Sequence, residues 1–101
     1  MPVTCTQDGR SLIARISGEL HHHGAKQVME ELDRRIDMGL PSHLTLDLRG
    51  LTFTDSSGIA VLLRAWKRME QNSGKMRVIH TPQQAERVFR AAGLQRLISF
   101  E

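Results

Sequence analysis

Cysteine occurs once, as Cys5. A lone thiol excludes an internal disulfide framework and a metal site built from cysteines alone. Aromatic side chains are nearly as scarce: Phe53, Trp66, Phe89 and Phe100. All four fall at positions that read as core, which leaves none to stack on single-stranded nucleic acid. The longest useful apolar run is Ile59-Ala60-Val61-Leu62-Leu63, far below the ~18 residues of a membrane span. Met1-Pro2-Val3-Thr4 shows no basic stretch leading into an apolar one, so no signal peptide is expected. These absences exclude secreted disulfide scaffolds and helical membrane proteins. A soluble cytoplasmic chain is the expectation.

What is present fits one small domain. The 101 residues are 40% hydrophobic and 25% charged, which supports a modest core and argues against disorder. A single domain over 1–101 is expected, too short for a large enzyme. Lys and Arg number 14 against 11 Asp and Glu, a net charge of +3. The cations are scattered from Arg10 to Arg96 with acids between them. A nucleic-acid footprint is a stripe or patch on one face, so no direct nucleic-acid partner and no membrane partner is expected. The densest group, Arg64, Lys67 and Arg68, lies off the apolar stripe of its helix. It reads as a solvated face or as a contact for an acidic partner.

Periodicity gives the elements. Residues 3–17 read as a hairpin with Asp8-Gly9 as a type I′ turn signal. Gly18-Glu19-Leu20 and His21, His22 and His23 follow as a connection. Ala25, Val28, Met29, Leu32 and Ile36 mark an amphipathic helix over 25–38. Gly39 is placed to end it in a left-handed conformation, and Pro41 forbids continuation. Leu44, Leu46 and Leu48 alternate with Thr45 and Asp47 as a strand. A second helix spans 56–71, with Ile59, Leu62, Leu63, Trp66 and Met69 as its buried stripe and Asn72-Ser73-Gly74 as its stop. Met76 and Val78, and after them Ile79, belong to a further strand. Thr81-Pro82-Gln83-Gln84 is a helix start, with Thr81 as cap and Gln84 reaching back. Ala85, Val88, Phe89 and Ala92 mark the third helix, ended by Gly93. Leu94, Leu97, Ile98 and Phe100 complete the core. The order predicts an α/β fold with a mixed β-sheet: an N-terminal hairpin plus parallel strands, with three to four helices.

One segment carries chemistry. Asp55, Ser56 and Ser57 stand at a helix N-terminus, where backbone N–H groups lack partners and the dipole is positive. Capping needs one such residue. It does not need two serines and Gly58, which costs about 1 kcal/mol of helix propensity relative to alanine. Gly58 therefore suggests that something large approaches the backbone there. The alternative to plain capping is a regulatory serine. A phosphate on Ser56 would add about −1.5 to −2 charges at a site suited to anions. A partner fitted to the free hydroxyl would then meet bulk and charge.

Asp55-Ser56-Ser57-Gly58-Ile59 resembles the signature of the STAS domains, specifically the anti-sigma factor antagonists. The likeness spans nearly the whole chain. Gly18-Glu19-Leu20-His21-His22-His23 resembles that family's glycine-glutamate-leucine-aspartate-histidine-histidine segment. Phe89-Arg90-Ala91-Ala92-Gly93-Leu94 and Ile98-Ser99-Phe100-Glu101 resemble its C-terminal part. The histidine segment and the ending are nearest to the sporulation type. The resemblance implies a non-enzymatic binding module with no cofactor of its own. It implies binding, when unphosphorylated, to an anti-sigma factor that is also a serine kinase of the GHKL type. The kinase phosphorylates the serine after the aspartate, here Ser56, and a serine phosphatase restores it. The resemblance also implies partner contacts at His21, His22, His23, Asp55, Ser57 and Gly58.

The chain departs from the family pattern at His21, where the family carries an aspartate. A carboxylate would repel a phosphate, whereas a protonated histidine would pair with it. Family members often continue into one further helix beyond the position of Glu101.

Other readings stay open. The histidine triplet also suggests a metal. In an extended loop, however, only His21 and His23 share a side, and no cysteine or carboxylate pair completes a tetrahedral set. A serine hydrolase is disfavoured because Ser-Ser-Gly is not the nucleophile elbow. Asp8, Asp47 and Asp55 do not have metal-cluster spacing. Cys5 reads as a half-buried strand residue, and Trp66 and the methionines as core. A STAS module of a stress-response circuit, or one that senses a nucleotide or other small molecule, is the alternative function.

Overall fold

Gly9 turns the chain first. In the computed structural model, which describes residues 3–101, β1 (Val3–Asp8) pairs antiparallel with β2 (Ser11–Ile16), with Asp8 opposite Ser11. The two-residue loop is therefore Gly9-Arg10. Only Gly9 has positive φ, at 61°. A type I′ turn needs positive φ at both central residues, whereas type II′ needs it at the first alone. The expected I′ turn on Asp8-Gly9 is thus corrected to the II′ pattern on Gly9-Arg10.

Gly18–Leu20 is a strand, β3, rather than a connection. The helix that follows, α1, runs His22–Gly39 and is longer than periodicity indicated. Ala25, Val28, Leu32 and Ile36 are its buried face. Gly39 does not supply the left-handed residue. Leu40 does, at φ 42°. Gly39 instead remains helical, and a Cβ there would lie 1.9 Å from Gln7 Oε1. Gln7 Nε2 donates to the carbonyls of Gly9 and Gly39, both at 3.1 Å. The glycine serves packing between the hairpin and the helix end, so the turn moves one residue on.

β4 (His43–Asp47) and β5 (Leu51–Thr54) are joined by a tight turn in which Leu51 N–H donates to Leu48 C=O. Then come α2 (Ser56–Gln71), β6 (Lys75–Ile79), α3 (Gln83–Ala91), a 3₁₀ turn (Leu94–Arg96) and β7 (Ser99–Phe100). The main sheet has the order β1-β2-β4-β6-β7, parallel except for the hairpin, and β3 and β5 form a second, parallel pair. This is the expected mixed α/β fold. β3, β5 and β7 escaped periodicity because two to four residues are too few to show an alternation.

Leu12, Ala14, Ile16, Leu44, Leu46 and Val78 pack from the strands into one core with α1 and α2, joined by Leu48, which lies just past the end of β4 rather than in the strand. The stripe of α2 is rotated from the expected one. Gly58, Val61, Leu62, Ala65 and Met69 are buried, while Ile59 and Trp66 are half-buried and Leu63 is exposed. Leu97 and Phe53 are exposed too, against the core positions expected of them. Small residues at Gly58 and Ala65 let the helix sit close to the sheet, which turns the bulkier side chains outward. Arg64 pairs with Asp33 at 2.7 Å, and Arg68 with Asp33 and Asp37. These two arginines brace α2 against α1. No helix is long and apolar enough to cross a membrane among the described residues.

Candidate functional site

β3 and β5 run parallel with Leu20 opposite Thr54. The residues after them, His21 and Asp55, are the N-caps of α1 and α2. Topology thus sets two helix N-termini side by side at the C-terminal ends of parallel strands, where open α/β folds bind their ligands. His21, His22 and His23 stand at one terminus, and Asp55, Ser56 and Ser57 at the other.

At the second terminus Asp55 is extended (φ −133°), and its Oδ1 accepts the Ser57 N–H at 2.8 Å. The Asp55 carbonyl accepts the Gly58 N–H at 3.0 Å. The capping duty therefore falls on Asp55. Ser56, the first helical residue, is exposed, and Ser57 is half-buried.

Gly58 is buried. A Cβ there would lie 2.0 Å from Thr54 Oγ1 and 3.4 Å from Phe89 Cε1. The close approach expected at this glycine is internal, which corrects the idea of a large group approaching it. The Thr54 hydroxyl donates to Leu20 C=O at 3.0 Å and ties the ends of β3 and β5 together. Thr54 carried no signal in the sequence, because a threonine before a cap residue is unremarkable until its partner strand is known.

The histidines are not in an extended loop. His21 is the cap, and His22 and His23 form the first turn of α1, so all three rings gather: His23 meets His21 at 6.2 Å and His22 at 5.7 Å, both edge-on. His21 makes no side-chain cap. Its Nε2 lies 3.2 Å from Glu19 Oε1. Among the described residues, no group of three or more His, Cys, Asp or Glu side chains is arranged to hold a metal ion.

Two expectations at the start of α3 are corrected. Thr81 does not cap; Pro82 occupies the cap position, and the buried Thr81 Oγ1 has no partner among the described residues. Gln84 does not reach back. Its Oε1 accepts the Thr54 N–H at 3.0 Å, and its Nε2 donates to Thr54 C=O at 2.8 Å. A proline cap has no hydroxyl to answer a capping box, so the glutamine is free to cross to β5.

Away from this end, Asp47 accepts from the Arg49 N–H and faces His80 Nδ1, both at 3.0 Å, with Arg15 at 3.9 Å. Burial pushes its carboxyl upward, but the Arg49 N–H and His80 outweigh that and hold it below the ordinary carboxylate value. Burial pushes the Cys5 thiol up, which makes it a poor nucleophile.

Comparison with known proteins adds four findings. The family model for the STAS domain matches residues 2–101. An anti-sigma F factor antagonist of Paenibacillus polymyxa is 36% identical over 87 residues, covering 86% of this chain and 74% of the relative. The solved structure of the anti-sigma factor antagonist SpoIIAA in its unphosphorylated form superposes with a TM-score of 0.78 at 21% identity, covering 98% of this chain and 86% of that one. The phosphorylated form of the Bacillus cell fate determinant SpoIIAA gives 0.77 at 22% identity, with coverage of 98% and 90%. At such identities the structural likeness establishes the fold.

Proposed function

The chain belongs to the STAS-domain family, and from that membership we propose that it is an anti-sigma factor antagonist switched by phosphorylation of Ser56. The observation that carries this reading is a hydroxyl at the first position of α2 that is exposed and relieved of capping by its neighbour Asp55. A relative at 36% identity bears the antagonist name, and a structural neighbour is known in phosphorylated form.

In the unphosphorylated state the surface around Ser56, with Asp55, Ser57 and His21, His22 and His23, docks on an anti-sigma factor that is also a GHKL-type serine kinase, while the buried Gly58 shapes the helix start from within. Docking frees the sigma factor. The kinase brings ATP and magnesium, and this chain adds only the acceptor. Ser56 Oγ forms a bond to the γ-phosphorus, the bond to the ADP oxygen breaks, and the hydroxyl proton leaves to a base of the kinase. The product carries about −1.5 to −2 charges beside Asp55. A surface that had fitted a neutral hydroxyl then faces bulk and like charge. A loss of about 3 kcal/mol is more than a hundredfold in affinity. A serine phosphatase resets the switch. The module acts in the cytoplasm and is not itself an enzyme.

His21 tunes the switch. It stands at the neighbouring N-terminus, where the family pattern that the chain resembles has an aspartate, so the phosphorylated form is less disfavoured here. His21→Asp should raise the phosphoserine pKa seen by phosphorus NMR, and an unchanged value would remove this role.

The test of the main reading is capture of the kinase by Ser56→Ala and Ser56→Asp, with phosphate mapped by mass spectrometry. Ser56→Ala should retain the partner and Ser56→Asp should lose it. Equal capture, or phosphate on another residue, overturns the reading. A module of a stress-response circuit would show the same chemistry with a different cognate kinase. A small-molecule sensor would take no phosphate on Ser56.

A further inference from the structure

We propose that Gln84 is the positioning residue of the switch, a side chain that stands in for a missing strand and holds the Ser56 loop in place. The proposal rests on the reading of Ser56 above. Among the described residues, β5 has β3 along one edge and no strand along the other. On that open edge Gln84 makes the pair of bonds a strand would make, to the N–H and the C=O of Thr54, at 3.0 and 2.8 Å. Thr54 is 1% exposed, so those two groups would otherwise be largely cut off from water. An unmet buried donor or acceptor is costly, which keeps the glutamine in this one geometry.

Thr54 is a junction. Its backbone is held by Gln84 from α3, its hydroxyl by Leu20 at the end of β3, and its side chain abuts Gly58 in α2. The next residue is the cap Asp55 and the one after is Ser56. Fixing both polar groups of Thr54 leaves a single residue, Asp55, between a rigid anchor and the serine that carries the reacting oxygen. Phosphoryl transfer tolerates little misplacement, and an error of ~1 Å costs about a hundredfold in rate. Gln84 touches no reacting atom. Its part is to orient the strand end from which the serine projects, and it answers no local need of α3, whose cap it does not contact.

The experiment compares the full chain with Gln84→Ala and Gln84→Glu by amide hydrogen exchange and by kinase assay. Gln84→Ala should raise exchange at Thr54, Ser57 and Gly58 at least ~10-fold beyond any change at Leu46 and Val78, which report global opening. It should lower kcat for Ser56 phosphorylation by a GHKL-type anti-sigma kinase with ATP about 10-fold or more, with KM little changed. Gln84→Glu should be loose at neutral pH and regain protection once its carboxyl is protonated, because the acid form again offers one donor and one acceptor.

Exchange at Thr54, Ser57 and Gly58 that rises no more than at Leu46 and Val78 overturns the proposal. So does a Gln84→Ala chain phosphorylated as fast as the parent. If the parent itself takes no phosphate on Ser56, the functional reading fails instead, and the exchange arm still decides whether Gln84 holds the loop.

Discussion

The starts of α1 and α2 share a backbone and differ in chemistry. Their caps have nearly the same conformation, φ −132° and ψ −169° at His21 against φ −133° and ψ −157° at Asp55. Each follows one strand of a parallel pair, and each has a glycine at its third helical position, Gly24 and Gly58. Yet Asp55 caps with its side chain and His21 does not. The fold therefore supplies two helix N-termini of like backbone, and the side chains decide which one is finished. At α2 a carboxylate completes the cap and leaves a serine idle. At α1 the cap is left open and imidazoles crowd the first turn.

The glycines offer the sharpest test of that equivalence. A Cβ on Gly24 would meet nothing nearer than 3.8 Å, whereas one on Gly58 would meet Thr54 Oγ1 at 2.0 Å. Gly58→Ala should therefore destabilise by about 2–3 kcal/mol through overpacking. Gly24→Ala should stabilise by about 0.5 kcal/mol through helix propensity. Urea midpoints of the two variants check both signs. Equal effects would mean that the first turns pack alike, and the contrast between them would be broken.

The caps give the next effect. Asp55→Ala removes the acceptor for the Ser57 N–H and should cost about 1 kcal/mol, while Asp55→Asn should cost little. His21→Ser introduces an acceptor where none exists and should gain about 0.5 kcal/mol, again read from urea unfolding. If Asp55→Ala is silent, Ser56 has taken over the cap, and its hydroxyl is not idle after all.

The sequence showed one of these two ends far better than the other. Asp55-Ser56-Ser57-Gly58 reads directly, because a cap, a first turn and a helix of correct bounds coincide in one run. His21-His22-His23 reads as loop because histidine is a poor cap and a weak helix former. Tertiary pairing of Gly18–Leu20 with β5 sets that helix start, and no local pattern encodes it. The same limit hid Thr54 and Gln84, thirty residues apart, which meet only once α3 docks on β5. It also explains the misplaced stripe of α2. Ile59, Leu63 and Trp66 are as apolar as buried residues, and only the close seat permitted by Gly58 and Ala65 turns them aside. Alternating leucines in β4 carried no such ambiguity, because a central strand must bury its apolar set whatever its neighbours are.

The contrast continues one strand upstream, where acid tests it. Asp47 and Arg15 are register partners on β4 and β2, the strands that lead to β5 and β3. Asp47 is held by the Arg49 N–H and faced by His80 and Arg15, and its carboxyl lies below the ordinary value. In the window between the folded and unfolded values the unfolded chain binds the extra proton. The stabilisation is therefore complete above about pH 4, the ordinary range for aspartate, and is lost as pH falls through the depressed folded value. Arginine stays charged throughout, so at this register position the approach to α2 carries a titrating group and the approach to α1 does not. Asp47→Asn should flatten the acid limb of the stability–pH curve. An acid limb of undiminished slope in that variant would place the titrating group elsewhere and remove the asymmetry between the two approaches.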